Sequence, residues 1–198
     1  MMFMTEQVNK EAIPKKENLK WIYNLHEKVS NLPDIYFLLL MVVLGNIIYT
    51  IFSPFFNYFA DFESVGDTFY GVDPRNMILN SVIIAPIFET LLQFLPIELL
   101  YIFYKRKRMK SSNYIMIALI SALLFGIMHY PSYAVLGGSI LGILKVSYTF
   151  FIGLFLAYTY LMYKIKGGRP YLATVLLHML LNLSFYMLPK LYDLISLN

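Results

Sequence analysis

Four residues in this sequence have types and spacings suited to chemistry inside an apolar environment. Glu89 sits within the run SVIIAPIFETLLQFLPIELL (81–100), His129 closes FGIMH four residues after Phe125, and His178 and Asn182 stand four apart in HMLLN. Residues at i and i+4 share one helix face, so each pair is presented together. A carboxylate, two imidazoles and an amide support two hydrolytic schemes. In one, Glu89 is a general base that activates water, His129 helps to position it, and His178 with Asn182 donates hydrogen bonds to a developing oxyanion. In the other, Glu89, His129 and His178 ligate a divalent metal that generates hydroxide. Both break an amide bond, and the first needs no cofactor. Ser121 and Ser184 lack the spacing and orienting partner of a serine nucleophile. The absence of cysteine excludes thiolate nucleophiles, disulfides and Cys-ligated metals.

The elements that carry these groups are apolar helices. Of 198 residues, 59% are hydrophobic and only 14% charged, which makes lipid the main solvent for this chain. A span needs ~20 apolar residues, and five stretches qualify: Ile35–Phe55, Met77–Tyr104, Tyr114–His129, Leu144–Tyr163 and Tyr171–Leu188. The fold expected is all-α, a polytopic bundle of about five transmembrane helices. Residues 1–34 form a cytoplasmic amphipathic segment, with Leu19, Ile22, Leu25, Val29 and Leu32 at helical spacing beside Trp21. Residues 35–198 form one membrane-embedded domain with its chemical core in 77–188. No cleavable signal peptide is expected, because the first apolar run starts only near Ile35 and no small-x-small site follows it.

Thirteen of the sixteen Lys and Arg residues fall before span one, between spans two and three (Lys105–Lys110) or between spans four and five (Lys164–Arg169). The positive-inside rule then puts the N-terminus in the cytoplasm and the C-terminus outside. The acidic loop with Asp61, Glu63, Asp67 and Asp73 is external on that orientation. The run KRKRMK has an insertion role and lies in no base-stacking module, so nucleic acid is not an expected partner; membrane lipid is. The Tyr and Phe content fits interfacial belts.

An ionisable group at bilayer depth costs several kcal/mol, so it faces the bundle interior and marks a working site. Glu89, His129 and His178 lie on three different spans, and a bundle buries them most cheaply by gathering them. Glu98 lies nine residues after Glu89, on the opposite helix face, and is read as interfacial. Lys145 is read as snorkelling to the external interface. Gly138 and Gly142 either let helices approach or belong to a loop entering span four. At ~1.5 Å per residue, Glu89 and His129 lie ~22 Å from the assigned cytoplasmic ends but His178 only ~10 Å, so a shared site requires tilted spans or shifted boundaries.

The order of a Glu motif, F-x-x-x-H and H-x-x-x-N resembles the CPBP family of intramembrane proteases, also called the Abi or CAAX-protease-like family. APIFETLL resembles its first motif, FGIMH the second, and FFIGLFLAYTYLMYKIKGGRPYLATVLLHMLLN the third with its preceding span. The resemblance implies peptide-bond cleavage by glutamate-activated water, with Glu89, His129, His178 and Asn182 catalytic and Phe125 a packing position. It departs at the first motif, usually E-E-x-x-x-R: Thr90 follows Glu89, and Phe94 takes the Arg position beside Gln93. Thr90 or Gln93 is then expected to orient Glu89 through neutral hydrogen bonds, which are cheaper to bury than an ion pair.

The function expected is that of an intramembrane endopeptidase acting on a membrane-associated or small peptide, in bacteriocin immunity or peptide maturation, in a bacterial cell membrane. The alternative is a catalytically inactive immunity or scaffold protein of the same family. An ion conductor ranks below both, because the spans show no inverted repeat or broken-helix pair.

Overall fold

The computed structural model describes residues 20–59, 78–105 and 111–196. The amphipathic segment before residue 20, the acidic loop at 61–73 and the basic run at 106–110 lie outside them. Among the described residues every element is helical: α1 (Lys20–Ser30), α2 (Asp34–Phe59), a wide turn (Leu79–Ile84) running into α3 (Ala85–Lys105), α4 (Ser111–Met128), α5 (Tyr130–Ile165) and α6 (Pro170–Ser196). The chain divides into two compact units, Met1–Phe37 and Leu38–Asn198. In the first, α1 forms where apolar residues recur at helical spacing, with Leu25 exposed.

In the second unit four helical stretches are long and apolar enough to cross a membrane: Asp34–Phe56 (whose first turn belongs to the first unit), Leu79–Tyr104, Ser139–Ile165 and Pro170–Met187. A shorter apolar helix covers Asn113–Met128. These match the five expected spans to within a few residues. The chain is a multi-pass membrane protein. Its polarity is arranged accordingly on α3, where Thr90, Gln93, Phe94 and Ile97 form the buried stripe at i, i+3, i+4 and i+7, while Phe88, Leu92, Leu95 and Leu99 face outward. Polar side chains go inward because lipid cannot hydrogen-bond them.

Within that unit α4 packs along α5, α5 on α6, and α3 against both α4 and α6. Glycines set the closest approaches. A Cβ on Gly126 would stand 2.8 Å from the Val146 carbonyl oxygen, and one on Gly153 would stand 3.1 Å from Ala122 Cα and from the Phe125 ring. On α2, Pro54 has no N–H to give to the Thr50 carbonyl, and the Ser53 hydroxyl donates to that oxygen at 3.3 Å instead.

One alternative is corrected and two readings are extended. Gly138 and Gly142 belong to no loop: α5 runs unbroken for 36 residues from Tyr130, with Pro131 preorganising its first turn. Helix α6 likewise continues past Leu188 to Ser196. Glu98 does more than reach the interface. Lys164 of α5 donates to its two oxygens at 2.5 and 2.6 Å, Tyr160 donates to it as well, and the Lys164 ammonium lies 4.4 Å from the Tyr101 ring centroid.

That ion pair resolves the mismatch in depth. Glu98 stands nine residues, or ~13 Å, along α3 from Glu89. Its pairing with Lys164 puts the α5–α6 turn at that level, and α3 continues seven residues past it. From Pro170, eight residues of α6 climb ~12 Å back to His178, at the height of Glu89.

Because the contact at Gly126 is with backbone, it cannot be relieved by a rotamer change. Gly126→Val is expected to destabilise the bundle by ~1–3 kcal/mol, seen as a lower thermal transition in detergent. An unchanged transition would contradict the α4–α5 packing described.

Candidate active site

Each candidate group reaches the site from its own helix. Glu89 lies one turn into α3, next to the buried Thr90. His129 is the single residue between α4 and α5, where its N–H bonds back to the Gly126 carbonyl at 3.0 Å as the chain reverses. His178 lies in the buried part of α6. Glu89 Oε2 is 3.5 Å from His178 Nε2 and 3.8 Å from His129 Nε2, so both imidazoles face the same carboxylate oxygen. The side chains retain 32% (Glu89), 20% (His129) and 4% (His178) of their full exposure, so the carboxylate is reachable while His178 is sealed.

Hydrogen bonds assign the two imidazoles different roles. The Phe125 carbonyl can only accept, so His129 Nδ1 donates to it at 2.8 Å, which leaves Nε2 toward Glu89 with a lone pair in the neutral form of the ring. His178 Nδ1 lies 3.1 Å from the Thr90 hydroxyl. The tautomer that suits an ionised Glu89 has Thr90 donating to Nδ1 and His178 Nε2–H pointing at the carboxylate. One histidine therefore offers an acceptor and the other a donor to the space beside Glu89. Phe125 packs between them, its ring 4.7 Å from the His129 ring and 5.8 Å from that of His178.

The other expected residues take different positions. Neither Thr90 nor Gln93 bonds to Glu89: Thr90 serves His178, and Gln93 Nε2 donates to the Gly153 carbonyl at 2.9 Å, a contact open because Gly153 has no side chain. The reason is helical geometry, since Thr90 is turned ~100° from Glu89 toward α6. Asn182 Nδ2 donates at 2.8 Å to the Ser81 carbonyl, in the wide turn preceding α3. One of its two N–H groups is thus committed to orienting α6 against that turn, leaving the other for a ligand.

Phe94, at the position where the motif has Arg, packs its ring 4.1 Å from Tyr160 and 5.1 Å from Tyr171. At the two positions where the resembled motif has a carboxylate and a guanidinium, this chain has a hydroxyl that holds His178 and an aromatic ring that fills the core, with no uncompensated buried charge.

The Lys145 ammonium lies over the buried Tyr148 ring, 5.1 Å from its centroid. Among the described residues no group of three or more His, Asp or Glu side chains is arranged as a metal site. No step is routed through a metal.

A carboxylate and two imidazoles thus converge inside a multi-helix membrane bundle. The family model for type II CAAX prenyl endopeptidase Rce1-like proteins matches residues 73–184, more than half of the chain, and this protein belongs to that family of proteases. No curated protein and no solved structure matches it. The match begins after α2, whose place in the bundle the structure alone describes.

The Thr90–His178 bond gives a test independent of Glu89. Thr90→Val keeps the shape but leaves His178 Nδ1 unpaired, costing ~1–3 kcal/mol of stability. Peptide turnover should fall at least about tenfold, and Thr90→Ser should restore most of it. Equal turnover in Thr90→Val and wild type would remove Thr90 from the site.

Proposed function

We propose that this protein is an intramembrane endopeptidase in which Glu89 is the general base for hydrolysis of a membrane-associated or small peptide. The observation that carries this reading is the convergence of His129 and His178 on one oxygen of Glu89. A water that donates to Glu89 Oε2 and to the free Nε2 lone pair of His129 has its oxygen turned toward an incoming carbonyl. Glu89 takes one proton as the water oxygen bonds to the carbonyl carbon. His178 Nε2–H and the uncommitted N–H of Asn182 are the donors for the resulting oxyanion. Collapse breaks the C–N bond, and protonated Glu89 gives its proton to the leaving amine. Atoms balance: one water is consumed, and one carboxylic acid, which keeps the second water proton, and one amine form.

Thr90 replaces a second acid without loss on this scheme, because the task at that position is to hold His178. The cellular role that fits is maturation of a small peptide or immunity to a bacteriocin. A second reading, a non-catalytic immunity or scaffold protein, is favoured by the absence of the motif's second Glu and its Arg at Thr90 and Phe94.

Purified Glu89→Gln, His129→Ala and His178→Ala proteins are each expected to lose at least ~100-fold in peptide cleavage while still accumulating in the membrane, and EDTA is expected to leave the wild-type rate unchanged. Full hydrolysis by Glu89→Gln would overturn the mechanism. Protection of cells against a peptide toxin that survives all three substitutions would favour the non-catalytic reading.

A further inference from the structure

We infer that α1 is an interfacial anchor: it lies flat on the bilayer beside the point where α2 enters, with the side of the helix that carries Trp21, Ile22, Leu25 and Val29 sunk into the lipid surface. This contact is independent of any catalysis by the bundle.

The pattern of the helix is the first support. At ~100° per residue, positions 21, 22, 25 and 29 fall within an arc of ~100°, while Lys20, Asn24, Glu27 and Ser30 lie on the other side. His26 and Lys28 border the arc, and a lysine stem at such an edge can run along lipid while its ammonium reaches water. Leu25 keeps 53% of its full exposure, so protein does not cover the apolar side there. With 11 residues α1 is about half the ~20 needed to cross a bilayer, and its charged side forbids immersion. A short helix of this kind is stable in the plane of the interface.

The connection to α2 says what covers the arc. Helix α2 opens the first stretch able to span a membrane, and Asp34 in its first turn marks the level at which it leaves water. The Phe37 N–H bonds to the Pro33 carbonyl at 3.0 Å, so α2 is already turning at Pro33. On the α1 side, the N–H groups of Asn31 and Leu32 bond back to the Glu27 and Val29 carbonyls at 3.1 and 3.3 Å. The last bond of α1 and the first of α2 thus fall on adjacent residues, and no slack chain separates the two helices. Val29 is five residues from Asp34, at most ~17 Å along even an extended chain. Pro33 disfavours helix at Leu32, which breaks α1 from α2 and lets it turn into the membrane plane. The chain therefore delivers the apolar arc to the membrane face. An upright α1 would leave that arc in water, and a flat one buries it.

Trp21 is the only tryptophan of the chain, so its emission reports on this helix alone. Full-length protein is reconstituted into phosphatidylcholine vesicles, either plain or brominated on the acyl chains near the glycerol or near the chain ends. Lipid brominated near the glycerol is expected to lower Trp21 emission at least about twofold, and lipid brominated near the chain ends to lower it less, because the apolar face of an interfacial helix sinks only ~5–10 Å. Acrylamide in the water is expected to quench weakly. Leu25→Glu combined with Val29→Glu is expected to abolish quenching by brominated lipid and to open Trp21 to acrylamide. Asn24→Ala combined with Glu27→Ala, on the other side, is expected to leave both unchanged. Strong acrylamide quenching of wild type without quenching by brominated lipid means a solvated or upright helix and overturns the proposal. Protection from both quenchers means that this chain or a second copy covers the arc, and overturns it as well. Stronger quenching from the chain ends, or quenching by brominated lipid that persists in the double Glu variant, does the same.

Discussion

A carboxylate inside a bilayer-spanning helix is the constraint on which this structure depends. Glu89 cannot be left against acyl chains, and the cheapest remedy is to surround it with groups that satisfy it and are themselves satisfied. His129 and His178 face it, Phe125 takes the outward N–H of one imidazole through its carbonyl, and Thr90 holds the other. The two imidazoles come from the α4–α5 junction and from α6, so meeting the cost of one acid brings these together with α3 at one height.

The remaining architecture keeps them there. The glycines at 126 and 153 let the backbones of α4 and α5 approach each other. The Glu98–Lys164 pair locks the far end of α3 against α5 and fixes the level of the α5–α6 turn, which returns His178 to Glu89. Asn182 ties α6 to the wide turn before α3. On the α2 side, Asn46 donates to Ser184 at 3.0 Å and Tyr49 stacks on Phe185 at 5.0 Å, so α6 is held from both sides. The polar interactions are few, and each joins elements that lipid alone would not order.

Much of this was legible in the sequence, because a membrane makes polarity informative. Hydropathy located the spans, and the cost of burying Glu89, His129 and His178 was enough to place them together. What stayed hidden depends on contacts between distant residues. Thr90 and His178 are 88 positions apart, and no local pattern says that a hydroxyl beside Glu89 turns to an imidazole on another helix. The glycines at 138 and 142 suggested a loop, yet Pro131 starts a helix that the apolar sequence after it sustains.

The central claim is spatial: the acid and the imidazoles share one inward-facing site. The chain contains no cysteine, so introduced pairs can be cross-linked without background. Glu89→Cys combined with His178→Cys, in native membranes treated with a short bifunctional thiol reagent, should cross-link efficiently. Phe88→Cys combined with His178→Cys should not, because Phe88 is 62% exposed on the lipid-facing side of α3. Cross-linking of the Phe88 pair with none in the Glu89 pair would contradict the account.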